Sequence, residues 1–511
     1  MVNEDEVLLR IEGLKTYFHT YEGVVKALEG IDIGVRKGET LGLVGETGCG
    51  KSVTALSVMR LIPSPPGKIE SGRILFGEPS RVTALRKEYD ANLGMVGSQR
   101  RKLAADLEKK LSSLPESAPK SERQDLRERL AAANSSYDLL TKSKHEMNEI
   151  RGNRISMIFQ EPMTALNPAY TVGDQIGETI ELHQGEMLLD DVLAQLEREQ
   201  KSYGSGVRAT RVVPKRQDTS LEPAESRGSL VCSKCGVVAR DDWGACIGCG
   251  ARFKGIVPYA LKGLFLRIAR SYYEAMRKNQ YNSWAYMVNL TFATRRLQRR
   301  LKLAKLMRAE DALLEVKIAG PGRIAKSYPF ELSGGMRQRA MIAMMMACKP
   351  DLLIADEPTT ALDVTVEAQI LALMGELQKN KGTSVLLITH DLGIIAEISH
   401  RVGIMYAGYV VELSSTREVF ARPLHPYTNA LLKSIPKIGQ AYLKDRKKPL
   451  NVIPGVVPNL LKPPSGCRFH PRCDRALEVC KTVVPELREL EPGHFAACHN
   501  PVPFPEEVRG T

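Results

Sequence analysis

An α/β fold is predicted for this chain by three short stretches. Gly45 to Ser52 reads GETGCGKS, after the apolar run Leu41 to Val44 and before a helix-compatible stretch from Val53 to Leu61, the strand, loop and helix order that a phosphate-cradling loop requires. Leu352 to Glu357 reads LLIADE, an apolar strand that ends on two carboxylates. Leu332 to Arg339 reads LSGGMRQR, in which Ser333, Gly334 and Gly335 open a helix with bare N–H groups and a positive dipole end.

These stretches carry chemical expectations. Backbone amides of Gly45, Glu46, Thr47, Gly48, Cys49 and Gly50 suit phosphate oxygens, Lys51 can reach the β- and γ-phosphates of a nucleotide, Ser52 can ligate Mg2+, and Thr54 follows within the helix. Asp356 can hold the Mg2+ shell and Glu357 can polarise a water in line with the γ-phosphate, which makes Glu357 the expected catalytic base. His390 closes another apolar strand, Val385 to Thr389, beside Asp391, a setting that favours function over packing. Gln160 follows Ile155 to Phe159 and has no meaning by itself.

At 511 residues the chain has room for about three units of roughly 150 residues each. No stretch approaches the ~18 uninterrupted apolar residues of a membrane span, and the start MVNEDEVLLR lacks the basic-then-apolar build of a signal peptide, so the expected compartment is the cytoplasm. Between Arg252 and Arg308, 14 Lys and Arg stand against one acid, Glu274, an excess equal to the net charge of +13 of the whole chain. Eight of the 10 cysteines fall into two compact sets, a pattern of metal sites in a reducing compartment, and Cys49 and Cys348 are left over.

Three segments add to the α/β core. From Pro79 to about His145, apolar stripes at Val96, Leu103, Leu107, Leu111 and Leu114 and at Leu126, Leu130, Ala133, Tyr137, Leu140 and Met147 predict two helices separated at Pro115 to Pro119, a helical hairpin of coiled-coil type. From about Glu186 to Arg308, a polar linker precedes Cys232, Cys235, Cys246 and Cys249, spaced C-x2-C-x10-C-x2-C, which can place four thiolates around one structural Zn2+ as a zinc ribbon. The basic aromatic helices that follow suit anionic lipid, nucleic acid, or packing on the zinc module. In the tail, Cys467, Cys473, Cys480 and Cys498 are spaced C-x5-C-x6-C-x17-C, and four thiolates suit either Zn2+ or an iron–sulfur cluster, with His470, His494 and His499 as substitutes for one ligand.

Together the loop, the LLIADE strand and the LSGGMRQR stretch resemble the ABC ATPases, and MIFQEPMTALNPAYTVGDQI, ADEPTTALDVT and HPYTNALLKSIP narrow the resemblance to the dipeptide and oligopeptide importer branch, which also takes in nickel and some sugar systems. The resemblance covers residues 1 to about 78, about 146 to 185 and about 309 to the end, and leaves the two intervening segments unexplained. It implies a RecA-like P-loop core with a helical subdomain, in which Ser333, Gly334, Gly335 and Met336 grip ATP held by another subunit. Gln160 corresponds to the glutamine that touches Mg2+ and relays nucleotide state, His390 to the γ-phosphate contact, Thr360 to Asp363 to the loop that crosses the dimer interface, and Phe18, or failing that Tyr17, to the aromatic that stacks on adenine.

The resemblance also implies an ATPase at the cytoplasmic face of the membrane, working with two multi-span permease subunits, a second and related ATPase chain, and indirectly an extracytoplasmic solute-binding protein. It favours a [4Fe–4S] cluster over zinc in the tail, and lipid or permease contact for the basic insertion. The expected domains are 1–78, 146–185 and 309–415 for nucleotide binding, 79–145 for the hairpin, 186–308 for the zinc-bearing insertion and 416–511 for the cysteine-rich extension. A DNA-repair or chromosome-maintenance ATPase is the alternative from another class; its long coiled coil would lie between Gln160 and the signature, whereas the hairpin here precedes Gln160.

Overall fold

The computed structural model describes residues 7–93, 97–114, 119–134, 137–160, 165–204, 229–231, 238–240, 270, 273–274, 292–360, 362–435 and 452–503. Two compact units divide the chain, Met1–Leu166 with Leu332–Thr511, and Asn167–Glu331.

In the first unit, β1 (Val7–Thr20), β2 (Gly23–Arg36) and β4 (Gly67–Phe76) form an antiparallel sheet in the order β2-β1-β4. A second sheet runs β12-β13-β11-β10-β3-β9-β8-β5, from β3 (Thr40–Val44), β5 (Ile155–Ile158), β8 (Leu352–Asp356), β9 (Ser384–Ile388), β10 (Arg401–Tyr406), β11 (Tyr409–Ser415), β12 (Arg488–Glu491) and β13 (His494–Ala496). Its run from β10 to β5 is parallel. Strands β3, β5, β8 and β9 are buried at every residue, which is why each reads as a largely apolar run rather than an alternating one. Leu41, Leu43, Ile155, Ile354, Leu386 and Ile388 share one core with Leu9, Ile11 and Leu28 of the antiparallel sheet.

The helices of this unit are α1 (Lys51–Val58), α2 (Ser80–Leu93), α3 (Gly97–Ser113), α4 (Lys120–Ala133), α5 (Lys144–Ile150), α9 (Gly334–Met346), α10 (Val364–Lys381), α11 (Leu392–Ile398), α12 (Thr416–Ala421) and α13 (Pro426–Lys433). In the segment read as a hairpin, α3 and α4 pack together: Ala104 and Leu107 meet Ala133, with the flanking Tyr89, Leu103, Leu126 and Leu130. It is more broken than expected. A separate helix, α2, precedes it, and its Arg86 is buried between Glu12 of β1 and Glu78 at 3.0 Å each. The second stripe ends at Ala133 rather than running on to Met147, because local caps outcompete the heptad: Asp138 accepts from the amides of Leu140 and Ile74 at 3.0 and 3.1 Å, and Ser143 with Glu146 forms a capping box that starts α5. Leu139 and Met147 join the main core.

In the second unit, α6 (Val172–Gly204) packs along α7 (Phe292–Glu315), with the short α8 (Pro321–Ile324) after it. Helix α6 breaks at Gln184, where φ is −129°, next to the position at which the insertion was expected to begin. Part of the basic excess is spent inside this unit: Lys305 pairs with Glu181, Arg308 with Asp191 at 2.8 Å, Lys302 with Asp174 at 3.9 Å, and Arg270 with Glu274 and Glu197. Strands β6 (Ser229–Val231) and β7 (Val238–Arg240) pair antiparallel, Val231 opposite Val238. Cys232, Cys235, Cys246, Cys249 and most of the basic aromatic segment lie outside the described residues.

Candidate functional site

The loop Gly45–Ser52 leaves β3 and enters α1, as its sequence requires. Gly48 and Gly50 take φ of 81° and 108°, which side chains rarely adopt. A Cβ on Gly45 would stand 2.2 Å from the Met405 carbonyl oxygen and one on Gly50 2.8 Å from that of Ala27, so β10 and β2 back the loop closely. Lys51 is buried and donates to the carbonyls of Gly45 and Glu46 at 2.7 and 3.3 Å, across the loop itself. Thr47 and Gly48 are exposed at the tip, and the buried Cys49 thiol is pushed up by burial. The Thr54 hydroxyl donates to Gly50 O at 3.0 Å inside α1.

The Ser52 hydroxyl donates to Asp356 Oδ1 at 3.1 Å, joining α1 to the end of β8. Burial, with the Glu357 charge adding to it, raises the Asp356 carboxyl above its ordinary range, against the Ser52 hydrogen bond and the Lys51 charge. Two hard oxygen donors side by side fit Mg2+, which takes one or two protein ligands and fills the rest of its shell with phosphate and water.

Glu357 sits in the left-handed region at φ 46°, a conformation that costs about 1–3 kcal/mol for a residue with a Cβ and that collects at functional sites. Its N–H is fixed on Ile388 O at 2.8 Å. Its carboxylate gathers the other predicted groups: His390 Nδ1 lies 3.1 Å from Oε1, and Gln160 Nε2 donates to Oε2 at 3.0 Å. The Thr360 hydroxyl reaches the same Oε2 at 3.3 Å. Burial would raise this carboxyl, but the hydrogen bond and charge of His390, with Thr360 and Lys51, outweigh it and leave Glu357 below its ordinary value. The neighbouring carboxyls are thus driven apart, with Glu357 the more readily ionised.

The signature behaves as a helix start. Ser333 caps α9, its hydroxyl accepting from Met336 N at 3.4 Å, and Ser333 and Gly334 are exposed. A Cβ on Gly335 would meet Val366 Cγ1 at 2.7 Å, and the buried Gln338 donates to the Pro358 carbonyl, so α9 is fastened to the segment between Glu357 and α10. Asp363 caps α10, accepting from Val366 N at 3.0 Å, while Ala361 lies outside the described residues. Phe18 is half-buried on β1 opposite Val25 and Gly67, and the adjacent Tyr17 hydroxyl is committed to Glu29 at 2.6 Å.

The tail extends the sheet through β13 and β12 and gathers its cysteines in one region. Cys467 N donates to Cys480 O at 2.8 Å, and Leu477 N to Cys480 Sγ at 3.4 Å. Burial raises Cys467, Cys473 and Cys498, the last to about 12, and the nearness of the other thiols adds to each. Yet among the described residues no group of three or more His, Cys, Asp or Glu is arranged to hold a metal ion. The substitute histidines are engaged elsewhere: His494 Nε2 with Glu412 at 2.7 Å, His470 Nδ1 with Cys467 O at 2.9 Å and His499 Nε2 with Val483 O at 3.2 Å.

Two contacts on the loop had no local sequence signal. Glu46 N donates to Tyr427 Oη at 3.1 Å, and the Glu46 carboxylate takes both terminal nitrogens of Arg472, at 2.8 and 3.1 Å. Tyr427 belongs to HPYTNALLKSIP and Arg472 to the cysteine-bearing tail, 381 and 426 positions away.

The family pattern described as ABC transporter matches residues 28–148 and 267–360, and that described as Oligopeptide/dipeptide transporter, C-terminal region matches residues 411–480. The chain is 34% identical to the probable peptide ABC transporter ATP-binding protein y4tR of Sinorhizobium fredii, over 96% of this chain and 95% of that one. It is 30% identical to the dipeptide transport ATP-binding protein DppD of Bacillus subtilis, over 96% and 94%, and 30% identical to the oligopeptide transport ATP-binding protein OppD of Escherichia coli, over 97% and 94%. The dimeric ABC transporter cassette MJ0796 aligns over 80% of this chain and 99% of that one, at 14% identity and a TM-score of 0.41.

Proposed function

This chain belongs to the ATP-binding subunits of the peptide-importing ABC transporters, and from that premise we propose how its residues divide the work. It is an ATPase, the ATP-binding subunit of a peptide or oligopeptide importer, and importer ATPases of this kind work with membrane permease subunits and a substrate-binding protein.

The amides of Gly45–Gly50 and the Lys51 ammonium bind the phosphates of ATP. Ser52 and Asp356 hold Mg2+, which supplies charge neutralisation to the phosphates. Glu357 takes the proton of the attacking water, His390 orients that carboxylate and meets the γ-phosphate, and Gln160 reports the state of the site to the permease side. Phe18 stacks on adenine, and Ser333 to Met336 offer their amides to ATP bound by a second, related ATPase subunit, with Asp363 at that dimer interface. The observation that carries this reading is the convergence of His390 and Gln160 on opposite oxygens of one ionised carboxylate.

Two metal sites belong to the same proposal. The β6–β7 hairpin supports a zinc ribbon at Cys232, Cys235, Cys246 and Cys249, since it draws together the ends of the segment that carries the first cysteine pair. The shared region of Cys467, Cys473, Cys480 and Cys498 supports a [4Fe–4S] cluster, whose binding would deprotonate its thiol ligands, against the burial that raises Cys467, Cys473 and Cys498. Among the described residues no helix is long and apolar enough to cross a membrane, and the subunit would act peripherally at the cytoplasmic face on two permeases. Residues 186–308 contact permease or anionic lipid; the domain limits 1–78, 146–185 and 309–415, 79–145 and 416–511 complete the assignment.

Glu357→Gln tests the core of this. ATP binding is expected within a few-fold of wild type, with an accumulated ATP-bound dimer and phosphate release slowed by about 10²–10⁴. Release at the wild-type rate would assign the base to another residue.

A further inference from the structure

The phosphate loop is held from behind by the cysteine-bearing tail. Arg472 closes a short 3-10 turn, His470–Arg472, immediately before Cys473, and its side chain is 6% exposed. Its guanidinium makes four hydrogen bonds: Nε donates to Pro454 O at 2.9 Å, one terminal nitrogen to Tyr406 Oη at 3.2 Å, and both terminal nitrogens to the Glu46 carboxylate. Phe469, three residues earlier, packs against Tyr406 and Tyr427 with centroids 5.1 and 5.4 Å apart, and Tyr427 accepts the Glu46 amide. Glu46 is therefore pinned at both its backbone and its side chain by residues from beyond β10.

Glu46 is an acid within a loop that receives a polyanion. Left unpaired, its charge repels the phosphates, and a bidentate arginine both cancels that charge and fixes the side chain in one plane, which a lysine cannot do. We propose that Arg472 is a positioning residue of the phosphate loop, through which the tail sets the affinity of the loop for the triphosphate of ATP. The proposal rests on the reading that Gly45–Ser52 binds ATP.

The test is MgATP binding to the full chain by calorimetry, with steady-state kinetics alongside. Arg472→Gln is expected to raise Kd and KM for ATP about tenfold with kcat within twofold, and Arg472→Lys to fall between it and wild type. Glu46→Gln added to Arg472→Gln is expected to bring Kd back to within about threefold of wild type, because the repelling charge is gone. Arg472→Gln binding within twofold of wild type overturns the proposal. So does a double variant as weak as Arg472→Gln, which would make the tail a purely structural support. If instead Lys51→Ala binds MgATP as wild type does, the reading of the loop itself fails, and the clamp with it.

Discussion

Around Glu357, groups from three separate parts of the chain meet one carboxylate within 3.3 Å, whereas the thiols of Cys467, Cys473, Cys480 and Cys498 share a region without forming a ligand set. The first site is closed by protein hydrogen bonds that the fold itself supplies. In the second, burial raises the thiols of Cys467, Cys473 and Cys498 and so favours their neutral form, and the nearness of the other thiols acts in the same direction. A site built from amide, imidazole and carboxylate can be pre-organised by hydrogen bonds, whereas neutral thiols are weak donors and weak acceptors and hold one another only loosely.

The sharpest break between the two regions comes from removing thiols. Wild-type protein isolated without oxygen is expected to be brown and to bleach on reduction, and Cys467→Ser with Cys480→Ser to be colourless, with iron lost and the tail opened to proteolysis, while Lys51 and Ser52 still bind MgATP more weakly. A colourless wild type with two zinc atoms per chain would assign the tail to zinc.

A smaller effect tests the junction. His425 is buried, accepts from Tyr427 N through Nδ1 at 3.1 Å, and has Glu412 close by; burial lowers it to about 4, with the Glu412 charge opposing. The folded state thus keeps it neutral, and below the unfolded value near 6.5 the unfolded chain takes the extra proton. Stability is expected to fall as pH drops from about 6.5 to about 4, by about 3 kcal/mol in all, with no further loss from this group below that. His425→Asn keeps a capping acceptor and should flatten that slope in denaturant titrations; an unchanged slope would place the acid sensitivity elsewhere.

The smallest expected effect is local. Asp363→Ala removes the cap of α10 and should cost about 1 kcal/mol in chemical denaturation. A loss several times larger would mean that Asp363 carries more than a cap.

Legibility followed distance along the chain. The phosphate loop, the LLIADE strand and the Ser333 cap were readable because each is set by backbone demands within a few residues: positive φ at glycine, a strand buried on both faces, an N-terminal acceptor. The hairpin was half readable. Its break between Ser113 and Lys120 appeared in the prolines, but the apolar spacing from Leu126 to Met147 ran across two caps that end one helix and begin another. For the basic segment, a charge count along the chain showed the excess but not the partners: Lys305 and Arg308 find carboxylates on α6 that such a count could not pair with them.

The sequence by itself determined the ATPase class and the peptide-importer family, because the motifs that carry both are contiguous stretches of the chain. Only the tertiary structure decided that Gln160 and His390 share the Glu357 carboxylate and that Arg472 reaches Glu46. Those meetings depend on the order in which β5, β8 and β9 lie side by side and on how the tail folds back beyond β10, and such long-range pairing leaves no periodic trace in the chain.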